Sequence, residues 1–354
     1  MDTHTLSPAY TTHTHLEALP TGLADQVADM VRAGKRPNTL RAYRSDLAAF
    51  TAWCESHNLA PLPASPTTLA GYLTDQASRL RYSSLKRHLA TISKAHQVAG
   101  YSHERNPASS ELVKAVTAGL RAEYAQTAKQ APGMSPDLLR MVVTAIPTTR
   151  PAGYGAGERP DLAGVRDRAL LLVGWSAALR RSELSALTWG GVEVVPGGAK
   201  LHLFGTKTDK GYEGQQAPLA AEPGNDLCPI TALNAWREVC AKWGWSNTPQ
   251  GDQVAGDDPA RPVFRTINKH GHLGTHLSGH AIGAIVTQRS AAAGVEGMTA
   301  HSLRRGLIQA AYLAGCDDSA ILQTSRHRTT TMLRTYQGDA GLMTRAVSRG
   351  LTAQ

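Results

Sequence analysis

The sequence predicts a mainly α-helical protein with one small antiparallel sheet, divided into two domains. Three observations carry this. Apolar residues recur every three to four positions along most of the chain, the period of an amphipathic helix. A period of two appears only between Val192 and Leu219. The chain has 354 residues, and at about 150 residues per domain that makes two domains.

The elements follow in order. Residues 1–20 carry Thr, His and Pro without periodicity and read as a loose arm. Helical patterning begins near Leu23. Pro37-Asn38-Thr39 is a start signal, followed by Leu40, Tyr43, Leu47, Phe50 and Trp53 or Cys54 on one face. Ser65-Pro66-Thr67 opens a second helix and Ser83-Ser84 a third, with Leu85, Leu89, Ile92 and His96. Asn106-Pro107 breaks the chain before a fourth, marked by Leu112, Val116 and Leu120. A polar connector covers Tyr124 to Gly133. Ser135-Pro136 then places a capping Ser before a Pro in the first helical turn. Pro147–Pro160 reads as an exposed Gly/Pro-rich loop, and Asp167–Leu187 as one continuous helix. Strands follow around Val192, Leu201 and Leu219, turning at Gly197-Gly198 and again around Asp209 to Gly214. Helices over Pro229–Trp243, His280–Ala293, Leu303–Ala314, Ser319–Gln323, Thr330–Tyr336 and Ala340–Val347 complete the pattern.

Composition narrows the function. No apolar run approaches the roughly 20 residues that span a bilayer, and no secretory leader precedes the helices. Cys54, Cys228, Cys240 and Cys316 form neither a CxxC pair nor a disulfide framework. The plain reading is a cytoplasmic protein with reduced thiols. Lys and Arg total 37 against 28 Asp and Glu, a formal charge of +9 that fits a nucleic-acid partner without establishing one.

The chemistry concentrates in the C-terminal half, in Leu179-Arg180-Arg181-Ser182-Glu183-Leu184, His301-Ser302-Leu303-Arg304-Arg305 and Ser325-Arg326-His327-Arg328. Tyr336 lies nine residues beyond His327. Guanidinium forks pair with phosphate oxygens and stabilise charge developing on a phosphoryl centre. A tyrosine beside them supplies a phenolic nucleophile. At this point the chain resembles the tyrosine recombinase, or phage integrase, family, with a layout similar to Cre-like site-specific recombinases. Arg180 matches the family's first arginine, with Glu183 as the acidic residue after it. His301 and Arg304 match the central pair, His327 the fifth position and Tyr336 the nucleophile. Lys207 matches the family lysine, with Lys210 as its rival. The match departs at Ala178, where glycine is commoner, and at Gln323–Arg326, which lacks the usual Leu-Gly-His stretch.

The resemblance implies an architecture. A helical core DNA-binding domain over 21–125 and a catalytic α+β domain over 135–354, joined by a linker at 126–134, form a clamp around DNA. It also implies a mechanism. Tyr336 attacks the scissile phosphate and forms a 3′-phosphotyrosine link, and strand exchange passes through a Holliday junction in a tetrameric synapse. No cofactor and no metal is expected. Arg180 and Arg304 bind non-bridging oxygens, Lys207 is the general acid, His301 assists proton transfer, and Glu183 orients Arg180 or His301. The last helix docks in trans on a neighbouring subunit or back on its own domain.

Other residues read less sharply. Arg41, Arg44, Arg81, Lys86, Arg87 and Lys94 are candidates for DNA contact or for a solvated face. Arg181, Arg305, Arg326 and Arg328 are read as DNA-binding candidates beside the clamp, with a structural ion pair as the alternative for Arg181 and Arg305. His270, His272, His276 and His280 lack a His-Glu-x-x-His arrangement and a nearby Cys, which favours a loop near DNA over a metal site. The tryptophans are expected in cores, with Trp175 and Trp189 holding the Arg180 helix. The expected partner is double-stranded DNA carrying a specific site, and the expected location the cytoplasm, at the nucleoid. Two rival readings are a type IB topoisomerase-like nicking and rejoining enzyme and a DNA-binding regulator without catalysis. No separate arm-binding domain is visible before residue 20, which favours a simple recombinase.

Overall fold

The computed structural model describes residues 37–125, 130–151, 157–204, 214–244, 259–327, 329–331, 333 and 335–336. The N-terminal arm, the start near Leu23, Lys207, Lys210, Arg328 and the helix at 340–347 lie outside the described residues. The chain divides into two compact units, Met1–Lys129 and Gln130–Gln354.

The first unit is a helical bundle: α1 (Pro37–Ser56), α2 (Pro66–Gln76), α3 (Tyr82–Val98) and α4 (Glu111–Tyr124). Ser65 Oγ accepts the Thr68 N–H at 3.0 Å and so caps α2, as its Ser-Pro-Thr signal predicts. Helix α3 starts at Tyr82, just ahead of the Ser83-Ser84 pair, behind Arg81, which makes no side-chain cap. Phe50, Leu69, Tyr72, Leu73, Leu85, Ile92 and Val113 fill the core. Beside it lies a buried polar network. The Asp46 carboxylate accepts Arg87 Nε at 2.9 Å, Arg87 Nη2 at 2.8 Å and the Thr91 hydroxyl at 3.1 Å. His88 Nε2 is 3.0 Å from Asp46, and its Nδ1 is 2.8 Å from the Tyr72 hydroxyl. A neutral ring protonated on Nε2 satisfies both partners, because a carboxylate only accepts. Burial lowers the His88 pKa against the attraction of Asp46, which agrees with the neutral form.

The second unit mixes helices with three small antiparallel sheets. Its elements are α5 (Pro136–Thr144), β1 (Thr149–Pro151), β2 (Glu158–Pro160), α6 (Leu162–Ser176), α7 (Arg181–Ala186), β3 (Val192–Val195), β4 (Gly198–Leu203) and β5 (Gln215–Ala220). They are followed by α8 (Pro229–Val239), β6 (Arg265–Ile267), β7 (Leu273–His276), α9 (Gly279–Ala292), α10 (Ala300–Leu313) and α11 (Asp318–Ser325). The sheet of period two is present with β4 at its centre, Val192 opposite Leu201 and Leu203 opposite Gln215. Ala199, Leu201, Leu203, Ala217 and Leu219 line its buried face. Helix α6 runs through the core, with Ala169 to Val173 fully buried, which explains why that stretch is apolar on every side.

Three sequence expectations change. The segment Asp167–Leu187 is two helices, because α6 stops at Ser176 and Ala178 turns left-handed at φ 47° before α7 begins. The loop 147–160 carries the β1–β2 hairpin, whose three-residue strands are too short to show a period. A second hairpin, β6–β7, is hidden in the sequence for the same reason. Further on, the chain leading into α5 lies against α10. Met134 N–H donates to Ser302 O at 2.9 Å, and Trp175 Nε1 donates to Met134 O at 2.8 Å. A Cβ at position 306 would collide with that carbonyl, so Gly306 permits the approach.

Candidate active site

The break between α6 and α7 builds the site. Ala178 closes the turn, and Arg180 occupies the residue before the first turn of α7 in extended conformation. Glu183 sits one turn into α7 and reaches back. Its Oε2 accepts the Arg180 backbone N–H at 2.9 Å, and its Oε1 accepts Arg180 Nη1 at 2.6 Å. The Arg180 side chain keeps 18% of its surface exposed, while the Glu183 side chain keeps 2%. Glu183 therefore holds both the backbone and the guanidinium of Arg180.

Arg304 projects from α10 and is 1% exposed. Its Nη1 donates to Ala178 O at 2.6 Å, its Nη2 donates to Ser325 O, and its Nε is buried without a partner among the described residues. One guanidinium thus ties the α6–α7 turn to the end of α11. Burial, then the charges of Arg180 and Arg326, lower its pKa. His327 follows α11. Its Nδ1 is 2.8 Å from the Ser325 hydroxyl, and its Nε2 is 3.2 Å from Arg304 Nη2. Burial first, then Arg304, Arg180, Arg326 and His301, push the His327 pKa down to about 3. The ring is therefore neutral near pH 7 and accepts from Arg304.

Tyr336 joins this group. Its ring centroid lies 4.9 Å from that of His327 and 5.5 Å from that of His301. Leu333, fully buried with Ile308, Tyr312 and Ile321, anchors the segment that carries it. The Arg305 guanidinium carbon lies 5.9 Å from the Tyr336 ring centroid, in cation–π contact. Desolvation, then Arg304, Arg305 and Arg180, lower the His301 pKa as well. Five of the six expected catalytic positions thus gather in one unit, and the sixth, Lys207, lies outside the described residues.

The remaining candidates divide. Arg41, Arg44, Arg81 and Lys86 are exposed, and Lys94 donates to Gln97 at 3.3 Å. Arg87 is half-exposed, but its fork grips Asp46, so the reading of Arg87 as a DNA reader gives way to one in which it also pins α3 to α1. Arg181 is exposed at the start of α7, with its stem against Gly279. Arg305 donates to Gln130. Arg326, expected at a DNA phosphate, is 7% exposed and enclosed by protein. That expectation is corrected, because its Nη1 and Nη2 hydrogens are taken by Glu183 and by backbone carbonyls, and its Nε is buried. The His270 and His272 rings lie 6.2 Å apart, tilted at 40°, and among the described residues no three His, Cys, Asp or Glu side chains converge on a metal position. Trp175 and Trp189 pack against the core, as expected.

Comparison with known proteins supplies independent ground. Residues 29–100 match the model of the phage integrase N-terminal SAM-like domain. An integrase/recombinase XerD homolog of Selenomonas ruminantium is 29% identical over 305 residues, covering 85% of this chain and 82% of its own. The tyrosine recombinase XerC of Xylella fastidiosa is 29% identical over 224 residues, covering 60% of this chain and 62% of its own. Among solved structures, a lambda integrase dimer bound to a COC′ core site aligns with a TM-score of 0.54 at 15% identity, over 96% of this chain and 83% of that one. XerH in a post-cleavage complex with difH aligns at 0.52 and 16% identity, over 80% and 72%. These two structures share the fold. The N-terminal domain match and the curated relatives make the chain similar to the tyrosine recombinase (phage integrase) family.

Proposed function

We propose that this chain is a site-specific DNA recombinase that cuts and rejoins strands through Tyr336. The observation that carries the reading is the convergence of the Tyr336, His327 and His301 rings on the Arg304–Arg180 pair. The Tyr336 oxygen attacks the scissile phosphorus and forms a 3′-phosphotyrosine ester as the bond to the 5′-oxygen breaks. The phenolic proton leaves toward His301, whose lowered pKa leaves it neutral and able to accept. Lys207 donates a proton to the departing 5′-oxygen. Arg180 and Arg304 hold the non-bridging oxygens, and their charge stabilises the five-coordinate centre. A 5′-hydroxyl from the partner strand reverses the same steps. The phosphotyrosine conserves the bond energy for that step.

Each unit contributes to DNA binding, the N-terminal bundle through the exposed cations of α1 and α3 and the C-terminal unit through the site. The linker separates them at about residues 126–134. A lambda integrase has been solved as a tetramer bound to a Holliday junction, with a TM-score of 0.54 to this chain. The same assembly and the same junction are proposed here, with the helix at 340–347 docking in trans. Among the described residues no helix is long and apolar enough to cross a membrane, and the proposed location is the cytoplasm, at the nucleoid. The test is a plasmid carrying two copies of a site selected from random DNA by binding. Exchange between the copies supports recombination. Relaxation of supercoils without exchange supports a topoisomerase-like enzyme, and binding without either supports a regulator.

A further inference from the structure

Among the described residues of the C-terminal unit, two that are not glycine adopt the left-handed conformation that favours glycine: Ala178 at φ 47° and Arg326 at φ 56°. They lie 148 residues apart in sequence and touch. Arg326 Nη2 donates to Ala178 O at 3.2 Å, and Nη1 donates to Ala177 O at 3.0 Å and Thr324 O at 2.8 Å. Nη2 also donates to Glu183 Oε2 at 2.9 Å. The Arg326 side chain is 4% exposed and that of Glu183 2%. Four acceptors thus take all four Nη hydrogens of Arg326 and leave none for a DNA phosphate, whereas Arg304, among the described residues, keeps one Nη1 hydrogen and its Nε.

We infer that Arg326 is a positioning residue for Arg180, acting through Glu183 and the α6–α7 turn. This rests on the recombinase reading of the same site. Glu183 has two oxygens and two cationic claimants. Arg326 takes Oε2, which leaves Oε1 for Arg180 Nη1. Oε2 also accepts the Arg180 backbone N–H, but Arg326 is the charged group that draws it away from the Arg180 guanidinium; without Arg326 the carboxylate closes on that guanidinium in the bidentate geometry the pair favours. Arg180 would then be withdrawn from phosphate and its charge largely cancelled. With Arg326 present, two guanidiniums share one carboxylate, and a net positive charge remains beside Arg304. Arg326 also shares the Ala178 carbonyl with Arg304 Nη1, so the two arginines brace one turn from two helices. The left-handed backbone at 326 aims the side chain back under α6 while placing His327 on the site side.

The test uses the full chain and a nicked duplex carrying a binding site selected from random DNA. Arg326→Gly suits the backbone at that position, Arg326→Met removes charge but keeps length, and Arg326→Lys keeps charge without the fork. The expected result is a loss of about ten- to a hundredfold in the saturated rate of covalent adduct formation for Gly and Met, with partial recovery for Lys. DNA affinity stays within about twofold, since Arg326 makes no DNA contact. An unchanged saturated rate in the folded Gly and Met variants overturns the inference. So does a loss of affinity with a reduced salt slope, which marks a phosphate contact. A crystal structure of Arg326→Met reads the same claim without activity: both Glu183 oxygens are expected on the Arg180 guanidinium, and an unmoved Glu183 contradicts it. Failure of the wild-type chain to form any adduct sinks the recombinase reading instead, and the crystal structure still decides the role of Arg326.

Discussion

The two units each bury a network of charge around one carboxylate, and the networks close differently. In the N-terminal bundle Asp46 meets Arg87, a neutral His88 and Thr91, and the charges of acid and arginine cancel. In the C-terminal unit Glu183 stands alone against Arg180, Arg326 and the adjoining Arg304, so three positive charges meet one negative. The first network is finished and holds three helices together. Among the described residues the second is left short of negative charge, in a place where Arg180 still reaches water and Arg304 Nε has no partner. A buried charge excess is unfavourable in a resting protein. It becomes useful where an anion such as a phosphodiester completes it.

The largest break in this comparison comes from Tyr336→Phe. It keeps the ring packing on His327 and His301 and removes the attacking oxygen. Covalent adduct on a nicked duplex should vanish, with DNA binding retained in a mobility-shift assay. Arg304→Lys comes next. Lysine cannot bridge the Ala178 and Ser325 carbonyls while facing phosphate, and the adduct rate should fall about 10²–10³-fold. If Arg304→Lys lowered only thermal stability, the second network would be a structural one like the first. Asp46→Asn sharpens the contrast from the other side. Arg87 is half in water but Asp46 is buried, so we expect a loss of about 2–3 kcal/mol in urea unfolding. The adduct rate at saturating DNA should not change.

The next effect is one of pH. The His327 pKa falls from 6.5 when unfolded to about 3 when folded. Below 6.5 the unfolded chain takes the proton first, so the His327 contribution to stability is complete above 6.5 and is lost as the pH falls toward 3. His88 acts in the same direction, because burial lowers its pKa too. Urea midpoints measured from pH 7 to 4 should decline, and His327→Gln should flatten the slope. The smallest effect is that of Lys86→Ala on the exposed face of α3. It should lower the salt slope of DNA binding by about one and leave adduct chemistry intact.

Much of this was legible in the sequence because the signals are local. Ser65-Pro66 and Ser135-Pro136 cap helices wherever they stand, and both do so here. Arg180, Glu183, His301, Arg304, His327 and Tyr336 keep a spacing that marks the site before any geometry is known. The break after Ser176 was not legible, since residues 175–187 continue a helical pattern through Ala177 and Ala178 without glycine or proline. Tertiary contacts hold that turn, above all the donations of Arg304 and Arg326 to Ala178 O. The role of Arg326 was hidden for the same reason. Between Ser325 and His327 it reads as one more cation for DNA, and only the long-range approach of Glu183 shows where its charge is spent. The hairpins β1–β2 and β6–β7 escaped because strands of three or four residues are too short to establish a period.

The central claim is that Tyr336 becomes joined to DNA at phosphorus. The most direct measurement incubates the full chain with the nicked duplex, digests the trapped complex with protease and nuclease, and maps the modified peptide by mass spectrometry. The account predicts a nucleotide attached through a 3′-phosphate to Tyr336, absent from the Tyr336→Phe protein. A nucleotide on another residue, or a nicked product with no protein attached, would contradict it.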